Sequence, residues 1–233
     1  MVKAVIFDFD GVIVDTELPV YESWYNLYRS FGLRLTKAKW RQTIGTRGGF
    51  DPIADINRSL TEMKEALGQK DPIKVATDND YQRVQVDIRN RLSKPLSTVA
   101  GVSEWIEQAE ELKLKIGIAS SSPMEWLNKY LESLRLKDRF ETVVGTSDKI
   151  RPKPFSDVYL IACERLHVSP DEALAVEDSK NGLVAAKNAK LITVVVPSVL
   201  TSGDDFSLAD IEISSFQELK LTEIIEILEQ RNY

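Results

Sequence analysis

Short apolar runs occur at the start of the chain and again through its second half, and they predict β-strands. The first run, residues 4–7, reads Ala-Val-Ile-Phe, which is typical of a strand buried on both faces of a parallel sheet. Helical periodicity separates the later runs, and this alternation predicts an α/β fold with right-handed crossovers. We therefore expect a Rossmann-like, doubly wound parallel sheet. The later predicted strands are residues 115–119, 142–144, 173–176, 191–196 and, more weakly, 211–213.

Residues 16–92 differ from the rest of the chain because they carry helical periodicity with few strand signals. The simplest interpretation is an all-helical cap domain, residues 16–94, inserted into a core domain formed by residues 1–15 and 95–233. The predicted cap helices are 16–31, 36–44, 51–67 and 72–92. The predicted core helices are 102–112, 123–134, 155–166, 179–189 and a final helix that a capping-box spacing at Ser215 and Glu218 begins.

Composition narrows the class of protein. A hydrophobic content of 43% and a charged content of 28% in 233 residues are typical of an ordinary globular protein. The net charge of -6 argues against a nucleic-acid partner, whereas a metal ion or a local lysine can still attract an anionic substrate. The first strand begins at once and no apolar run approaches about 20 residues, so we expect a cytoplasmic protein without a membrane partner. The sequence indicates no particular oligomeric state.

The chain contains one cysteine, Cys163, and one histidine, His167. A single cysteine excludes an intrachain disulfide and a thiolate metal cluster, and the surrounding amphipathic pattern favours an inert buried thiol. His167 lies at a predicted helix end, away from the predicted strand ends, so we interpret it as structural. A Ser-His-Asp triad is therefore disfavoured. The sequence also lacks a P-loop and a dinucleotide-binding fingerprint after the first strand.

Two carboxylates follow the first strand directly. Residues two apart in an extended chain point the same way, so Asp8 and Asp10 can face one small volume beyond the strand. Gly11 then lets the backbone turn. Ligands of open α/β sheets bind at this edge, although a plain turn after the strand would look similar.

Other polar residues follow three of the later strands. Ser120 can hold a phosphate with nearby backbone N–H groups, and the alternative is helix capping by Ser122. Lys153 lies between two prolines, where a solvated basic turn is the alternative. Glu177 and Asp178 follow the fourth strand and could instead cap the next helix.

In their order and placement these residues resemble the four motifs of the haloacid dehalogenase superfamily, in its phosphatase and phosphomutase branch. The first motif is Asp8-x-Asp10 with the following apolar residues and Asp15-Thr16. The helical insertion after it resembles the cap of the subgroup that includes β-phosphoglucomutase and phosphoglycolate-type phosphatases. The resemblance implies a Mg²⁺-dependent phosphatase that acts on a small phosphorylated metabolite, and a sugar phosphate is the favoured substrate.

The resemblance also implies a role for each motif residue. Asp8 would be the nucleophile that forms an aspartyl-phosphate, and Asp10 would act as general acid and base. Ser120 would hold a phosphoryl oxygen, and Lys153 would stabilise charge. The expected Mg²⁺ ligands are Asp8, the Asp10 backbone carbonyl, Asp178 and Glu177, directly or through water. The expected substrate-binding residues are Ser121, Gly45, Thr46 and Arg47.

Substrate choice rests on weaker signals. Arg47 could contact a sugar hydroxyl or a second phosphate, or it could be a surface arginine. In chains that resemble β-phosphoglucomutase, a histidine that assists proton transfer stands where this chain has Val20. This departure favours hydrolysis over a mutase reaction.

Three alternatives stay open. One is a β-phosphoglucomutase-like phosphotransferase. A phosphonate hydrolase would need a Schiff-base lysine, for which Lys37 and Lys39 are unconvincing candidates. The last, from a different class, is a phospho-ligand sensor that has lost turnover, and the intact acid at Asp10 argues against it because binding alone does not require that residue.

Overall fold

The computed structural model describes residues 1–46, 51–94 and 96–231. Within these residues, six strands form one sheet in the order β3-β2-β1-β4-β5-β6, and every neighbouring pair is parallel. This sheet confirms the predicted α/β fold. The strands are β1 (Ala4–Phe7), β2 (Lys115–Pro123), β3 (Thr142–Thr146), β4 (Ala173–Glu177), β5 (Ile192–Val195) and β6 (Ile211–Glu212).

The α-helices connect these strands and fill the segment after β1. In the described part of the chain, none of them is both long and apolar enough to cross a membrane. The helices after β1 are α1 (Glu17–Ser30), α2 (Lys37–Trp40), α3 (Pro52–Ala66), α4 (Asp78–Leu92) and α5 (Val102–Glu111). The helices between and after the later strands are α6 (Met124–Ser133), α7 (Asp157–Leu166), α8 (Lys180–Asn188) and α9 (Leu221–Arg231).

Strand β1 lies at the centre of the sheet and is buried on both faces. Val5 and Phe7 pack into one hydrophobic cluster with residues of α5, α6 and α9, whereas Ala4 and Ile6 pack into another with residues of α7 and α8. This division follows from the alternation of side chains along a strand. Helices cover both faces, so the continuous apolar run of β1 is the sequence pattern of a doubly wound sheet.

Helices α1, α3 and α4 share a hydrophobic cluster of their own. Its buried members include Trp24 and Tyr28 of α1, Leu60 of α3 and Val84 of α4. No strand occurs among the described residues from α1 to α4. These contacts are consistent with the helical cap, while its boundaries at residues 16–94 stay a prediction.

Helix α4 begins at Asp78, so its predicted start at Pro72 was wrong. Two contacts explain the later start. The Asp80 carboxylate accepts hydrogen bonds from the backbone N–H and the hydroxyl of Thr77, both at 3.0 Å, which is a helix-capping arrangement. The Asn57 side chain also accepts from the backbone N–H of Ala76 at 2.7 Å and donates to its carbonyl at 3.0 Å, which holds the preceding segment against α3.

The final helix begins at Leu221, so the predicted start at Ser215 and Glu218 was also wrong. The Glu218 carboxylate does accept hydrogen bonds from the backbone N–H and hydroxyl of Ser214, both at 2.6 Å, but they close a turn before the helix. Glu223 accepts from the backbone N–H of Lys220 at 2.7 Å and occupies the helix start instead. The pattern of a polar residue followed by an acid therefore recurs a few positions later, where the helix forms.

Candidate active site

The strand ends predicted to carry the chemistry meet at one edge of the sheet. Phe7 of β1 pairs in register with Ile118 of β2 and Val176 of β4. Asp8 therefore lies beside the ends of both neighbouring strands, at the carboxyl edge where open α/β sheets bind ligands. The loop after β3 brings Lys153 to the same place.

Lys153 is the central cation of this edge. Its ammonium lies 2.8 Å from Asp8 Oδ1 and 2.6 Å from Glu177 Oε1, and its side chain is fully buried. The Tyr159 hydroxyl donates to the same Glu177 oxygen. Glu177 is thus engaged with Lys153 and Tyr159 through one oxygen, whereas its other oxygen lies 3.3 Å from the backbone N–H of Asp178. The solvated turn considered for Lys153 does not form.

Burial and charge shift the pKa values of this cluster. Burial, with the nearby Glu177 and Asp10 adding to it, raises the pKa of Asp8 to about 7, although Lys153 opposes the shift. Burial and then the charges of Asp8 and Glu177 raise the pKa of Asp178 well above its usual range. Burial opposes the charged form of Lys153, but the two carboxylates outweigh it and raise the pKa of the ammonium. Three buried carboxylates therefore lie near one ammonium that contacts only two of them, and the remaining negative charge favours binding of a metal ion.

Asp178 provides the test of whether a divalent metal fits. The residue is fully buried, and neither carboxylate oxygen accepts a hydrogen bond from the described residues at bonding geometry. One ligand oxygen from each of Asp8, Glu177 and Asp178 lies within 4.8 Å of the others. Gly11, with φ of +91°, makes room, because a Cβ there would stand 2.2 Å from an Asp178 oxygen. Clustered hard oxygen donors suit Mg²⁺, so the residues present fit the expected ion.

Asp10 is held by three side chains. Its Oδ1 accepts from the Thr16 hydroxyl at 2.5 Å and from the Trp126 indole N–H at 3.0 Å, and its Oδ2 accepts from the Ser122 hydroxyl at 2.6 Å. Ser122 therefore binds Asp10 and does not cap the next helix, where Pro123 occupies the N-cap. Sequence reasoning missed this role of Ser122 and Trp126, because nothing local links them to the first strand.

The two preceding serines lie at the carboxyl end of β2. Ser120 is buried, and its hydroxyl accepts from the backbone N–H of Ser122 at 3.0 Å. The Ser121 hydroxyl donates to the Gly45 carbonyl at 2.9 Å and accepts from the backbone N–H of Lys153 at 3.0 Å. Ser121 thus connects the loop that contains Gly45 to the loop that contains Lys153. Arg47, the remaining predicted loop residue, lies outside the described residues.

A small cavity of about 80 Å³ opens onto these groups. It brings together most of the predicted catalytic and binding residues with one further acid, Glu17. Burial, together with the nearby Asp10, Asp15 and Asp8, raises the pKa of Glu17 to about 8. Its position directly after the first motif was the only sequence signal for it. The lining residues are Asp8, Asp10, Glu17, Gly45, Thr46, Ser120, Ser121 and Ser122.

The cap of α8 and the lysines of the helical segment have contacts of their own. Ser179 caps α8, because its hydroxyl accepts from the backbone N–H of Gly182 at 3.1 Å, so Glu177 and Asp178 are not the cap. The Lys39 ammonium forms an ion pair with the Asp55 carboxylate. The Lys37 ammonium donates a hydrogen bond to the Val199 carbonyl at 3.3 Å.

A parallel sheet with clustered carboxylates and one buried lysine at its carboxyl edge defines a class of hydrolytic enzyme, and comparison with known proteins gives the family. The family profile of haloacid dehalogenase-like hydrolases matches residues 5–196, and the chain belongs to this family.

Relatives place the chain more narrowly. YhcW of Bacillus subtilis, which bears a provisional phosphatase name, is 35% identical over 232 residues, and the match covers 100% of both chains. A phosphorylated carbohydrates phosphatase of Thermotoga maritima is 30% identical over 228 residues, 98% of this chain and 99% of the relative. The crystal structure of CbbY from Rhodobacter sphaeroides in complex with phosphate superposes with a TM-score of 0.69 at 25% identity, covering 95% of this chain and 98% of that one. The chain is an enzyme of this family, of its phosphatase type.

Proposed function

We propose that this chain is a Mg²⁺-dependent phosphatase that hydrolyses a small phosphomonoester, a sugar phosphate in particular, through an aspartyl-phosphate intermediate. The observation that carries the proposal is the buried cluster in which Lys153 contacts Asp8 while the Asp178 carboxylate has no hydrogen bond from the described residues. Two relatives with phosphatase names, one of them for phosphorylated carbohydrates, support the same activity.

In the first step Asp8 attacks phosphorus, and the bond from phosphorus to the ester oxygen breaks. Lys153 lies 2.8 Å from Asp8 and offsets the negative charge that gathers as the carboxylate approaches the phosphate. Like charges 4 Å apart repel by about 4 kcal/mol at an effective dielectric constant near 20, so this compensation is necessary. The Ser120 hydroxyl lines the same cavity and can donate to a phosphoryl oxygen.

Asp10 acts first as a general acid and then as a general base. It donates a proton to the departing ester oxygen, and it then takes a proton from the water that splits the aspartyl-phosphate. Thr16, Ser122 and Trp126 all donate to its carboxylate, which supports a defined resting position for the acid. Inorganic phosphate and a free hydroxyl compound are the products.

Asp8 and Asp178, with the Asp10 carbonyl and Glu177 directly or through water, would hold Mg²⁺. When bound, the ion would neutralise negative charge shared by the carboxylates and the phosphate. The orphaned Asp178 carboxylate supports its role as a ligand.

The test is phosphate release from a panel of small phosphomonoesters, with Mg²⁺ and with chelator, by the wild type and by Asp8→Asn. We expect metal-dependent release that Asp8→Asn abolishes, while the matched surface change Asp71→Asn leaves it intact. Release by Asp8→Asn at the wild-type rate would overturn the nucleophile assignment. Interconversion of sugar phosphate isomers without net phosphate release would favour the mutase alternative instead.

A further inference from the structure

Tyr159 contacts the buried cluster at the sheet edge but has no step in the proposed reaction. It lies on α7 and is fully buried, in the hydrophobic cluster that contains Ala4 and Ile6 of β1. Its hydroxyl extends from this apolar cluster to the Glu177 carboxylate at the end of β4. A buried phenol needs a hydrogen-bond partner, so a purely structural role is one explanation. Its contacts with Lys153 indicate a more specific one.

The side chain of Lys153 has to be held in place by its neighbours. Lysine carries a compact charge on a flexible four-carbon chain, so its ammonium has many accessible positions unless contacts select one. The ammonium lies 2.8 Å from Asp8 Oδ1 and 2.6 Å from Glu177 Oε1. The proposed reaction needs this charge beside Asp8, so a group that fixes the ammonium there affects the rate.

Tyr159 acts on this ammonium in two ways. The Lys153 Nζ lies over the tyrosine ring, 5.0 Å from its centroid, and a cation attracts an aromatic face within about 6 Å. The tyrosine hydroxyl also donates to Glu177 Oε1, the same oxygen that accepts from the ammonium. An ionised carboxylate can only accept, so the phenol and the ammonium are both donors to one oxygen.

The other half of the Glu177 carboxylate is confined as well. Its Oε2 lies 3.3 Å from the backbone nitrogen of Asp178 and 3.5 Å from the Ser179 hydroxyl, at the start of α8. Gly182 makes room for this oxygen, because a Cβ there would stand 1.9 Å from it. The carboxylate is therefore held from two sides, by Tyr159 on α7 and by the start of α8. It is a fixed link between the tyrosine hydroxyl and the ammonium.

We propose that Tyr159 is a positioning residue: it fixes Glu177 Oε1 and lies against the ammonium, and in this way it holds Lys153 against Asp8. The effect on the rate rests on the proposed function, in which Lys153 offsets the charge at Asp8. Without the hydroxyl, the Glu177 carboxylate and the ammonium gain freedom, and the ammonium spends less time beside Asp8.

The test is a double-mutant cycle on kcat for phosphate release, which combines Tyr159→Phe with Lys153→Met. Tyr159→Phe keeps the ring and removes only the hydroxyl. We expect it to lower kcat at least about 5-fold in the wild-type background but less than about 2-fold in Lys153→Met, where no ammonium is left to position. A purely structural tyrosine would lower kcat by the same factor in both backgrounds, and that result overturns the inference.

Tyr28→Phe is the matched control. The Tyr28 hydroxyl also donates to a buried carboxylate, that of Asp55 at 2.8 Å, and Asp55 also pairs with a lysine, Lys39. This variant should lower the free energy of unfolding but leave kcat within about 2-fold of the wild type. Thermal melting shows that each variant is folded. If Lys153→Met does not fold, Lys153→Met combined with Glu177→Gln, which also removes the unpaired carboxylate, replaces it as the background.

A second measurement separates this inference from the proposed function. Calorimetric binding of inorganic phosphate in Mg²⁺ needs no turnover. An ammonium fixed beside Asp8 attracts an anion bound there, so Tyr159→Phe should weaken phosphate binding at least about 3-fold, with no further loss in Lys153→Met. Unchanged phosphate binding in Tyr159→Phe overturns the inference. If the wild type binds phosphate but releases none from any ester, the proposed function fails and the binding cycle decides the role of Tyr159. If the wild type neither binds nor releases phosphate, both fail.

Discussion

Several carboxylates lie at the end of the sheet, and several others line the large cavity of about 620 Å³ between α1 and α4. The two groups differ in burial and in their contacts. Asp8 and Glu177 are buried and contact Lys153, and Asp178 is buried beside them. Around the large cavity, Asp78 is exposed and Glu17 is half-buried. Lys153 therefore holds Asp8 and Glu177 in place, whereas the Asp78 side chain is open to solvent and to a ligand. We therefore expect the sheet edge to carry the chemistry common to all phosphomonoesters and the helical wall to influence substrate choice.

The largest effect is expected from removing the buried cation. Lys153→Met leaves Asp8 and Glu177 without their shared cation, so we expect kcat to fall by about 10²–10³-fold. Breaking a buried ion pair on one side also lowers the free energy of unfolding by about 3–5 kcal/mol. Urea denaturation and phosphate release measure the two effects. Lys137→Met, which breaks a surface pair with Glu132, should change neither, and activity within 10-fold of wild type in Lys153→Met would show that the sheet edge does not depend on its lysine.

Metal binding should be coupled to pH at the sheet edge. The raised pKa values of Asp8, about 7, and of Asp178 mean that the folded protein holds protons that the unfolded chain has lost above about pH 4. Without metal, stability should therefore fall as pH rises from 5 to 8. Mg²⁺ competes with those protons, so the rise in Tm that it causes should grow over the same interval.

Thermal melting with Mg²⁺ and with chelator measures this coupling. Asp178→Asn should largely remove the Mg²⁺-induced rise, whereas Asp171→Asn, on the surface, should retain it. If the Mg²⁺-induced rise in the wild-type Tm is independent of pH, the metal does not bind at the buried carboxylates.

A smaller effect is expected where a single hydrogen bond positions the acid. Trp126→Phe keeps an aromatic ring against Tyr130 but removes the N–H that lies 3.0 Å from Asp10. A hydrogen bond to a charged group contributes about 1.5–3 kcal/mol, so we expect kcat to fall about 10-fold or more with a changed pH profile. Trp105→Phe removes an indole donor to the carbonyls of Phe216 and Leu219. This control should lower stability and leave the pH profile intact.

The smallest effect is expected in the large cavity. Tyr81 lines this cavity but is exposed to 41% of its surface, so Tyr81→Ala should raise KM for a sugar phosphate only about 3- to 10-fold and leave kcat unchanged. Steady-state kinetics measure both constants. Val86→Ala, an exposed position on the same helix, serves as the control. A fall in kcat with unchanged KM would assign Tyr81 to the chemistry and would remove the proposed difference between the two regions.

Much of the sheet edge could be predicted because its signals are local. Asp8 and Asp10 follow an apolar run directly, and Glu177 and Asp178 end another. The alternation of strands and helices implies that such ends gather at one edge. The helix starts at Pro72 and Ser215 were wrong because several nearby segments offered similar capping patterns, and contacts with other elements selected among them.

The hydrogen-bond partners of these residues could not be predicted from local sequence. Trp126 is 116 positions from Asp10, and its N–H reaches the carboxylate only because β1 and β2 are adjacent. Ser122 looked like a helix cap because its local pattern fits one, yet its hydroxyl donates to Asp10. Glu17 follows the first motif directly, but no local pattern assigned it a function.

The residue pattern alone predicts the parallel sheet, the helical insertion and the order of acidic, hydroxyl and basic groups at the strand ends. These features can be predicted because backbone propensity and side-chain periodicity act over a few residues. The folded chain alone reveals that Lys153 joins Asp8 to Glu177, that Asp178 is left without a donor among the described residues, and that Glu17 joins two cavities. Such contacts depend on how distant elements pack, and the free energy of burying each charge depends on all of its neighbours at once.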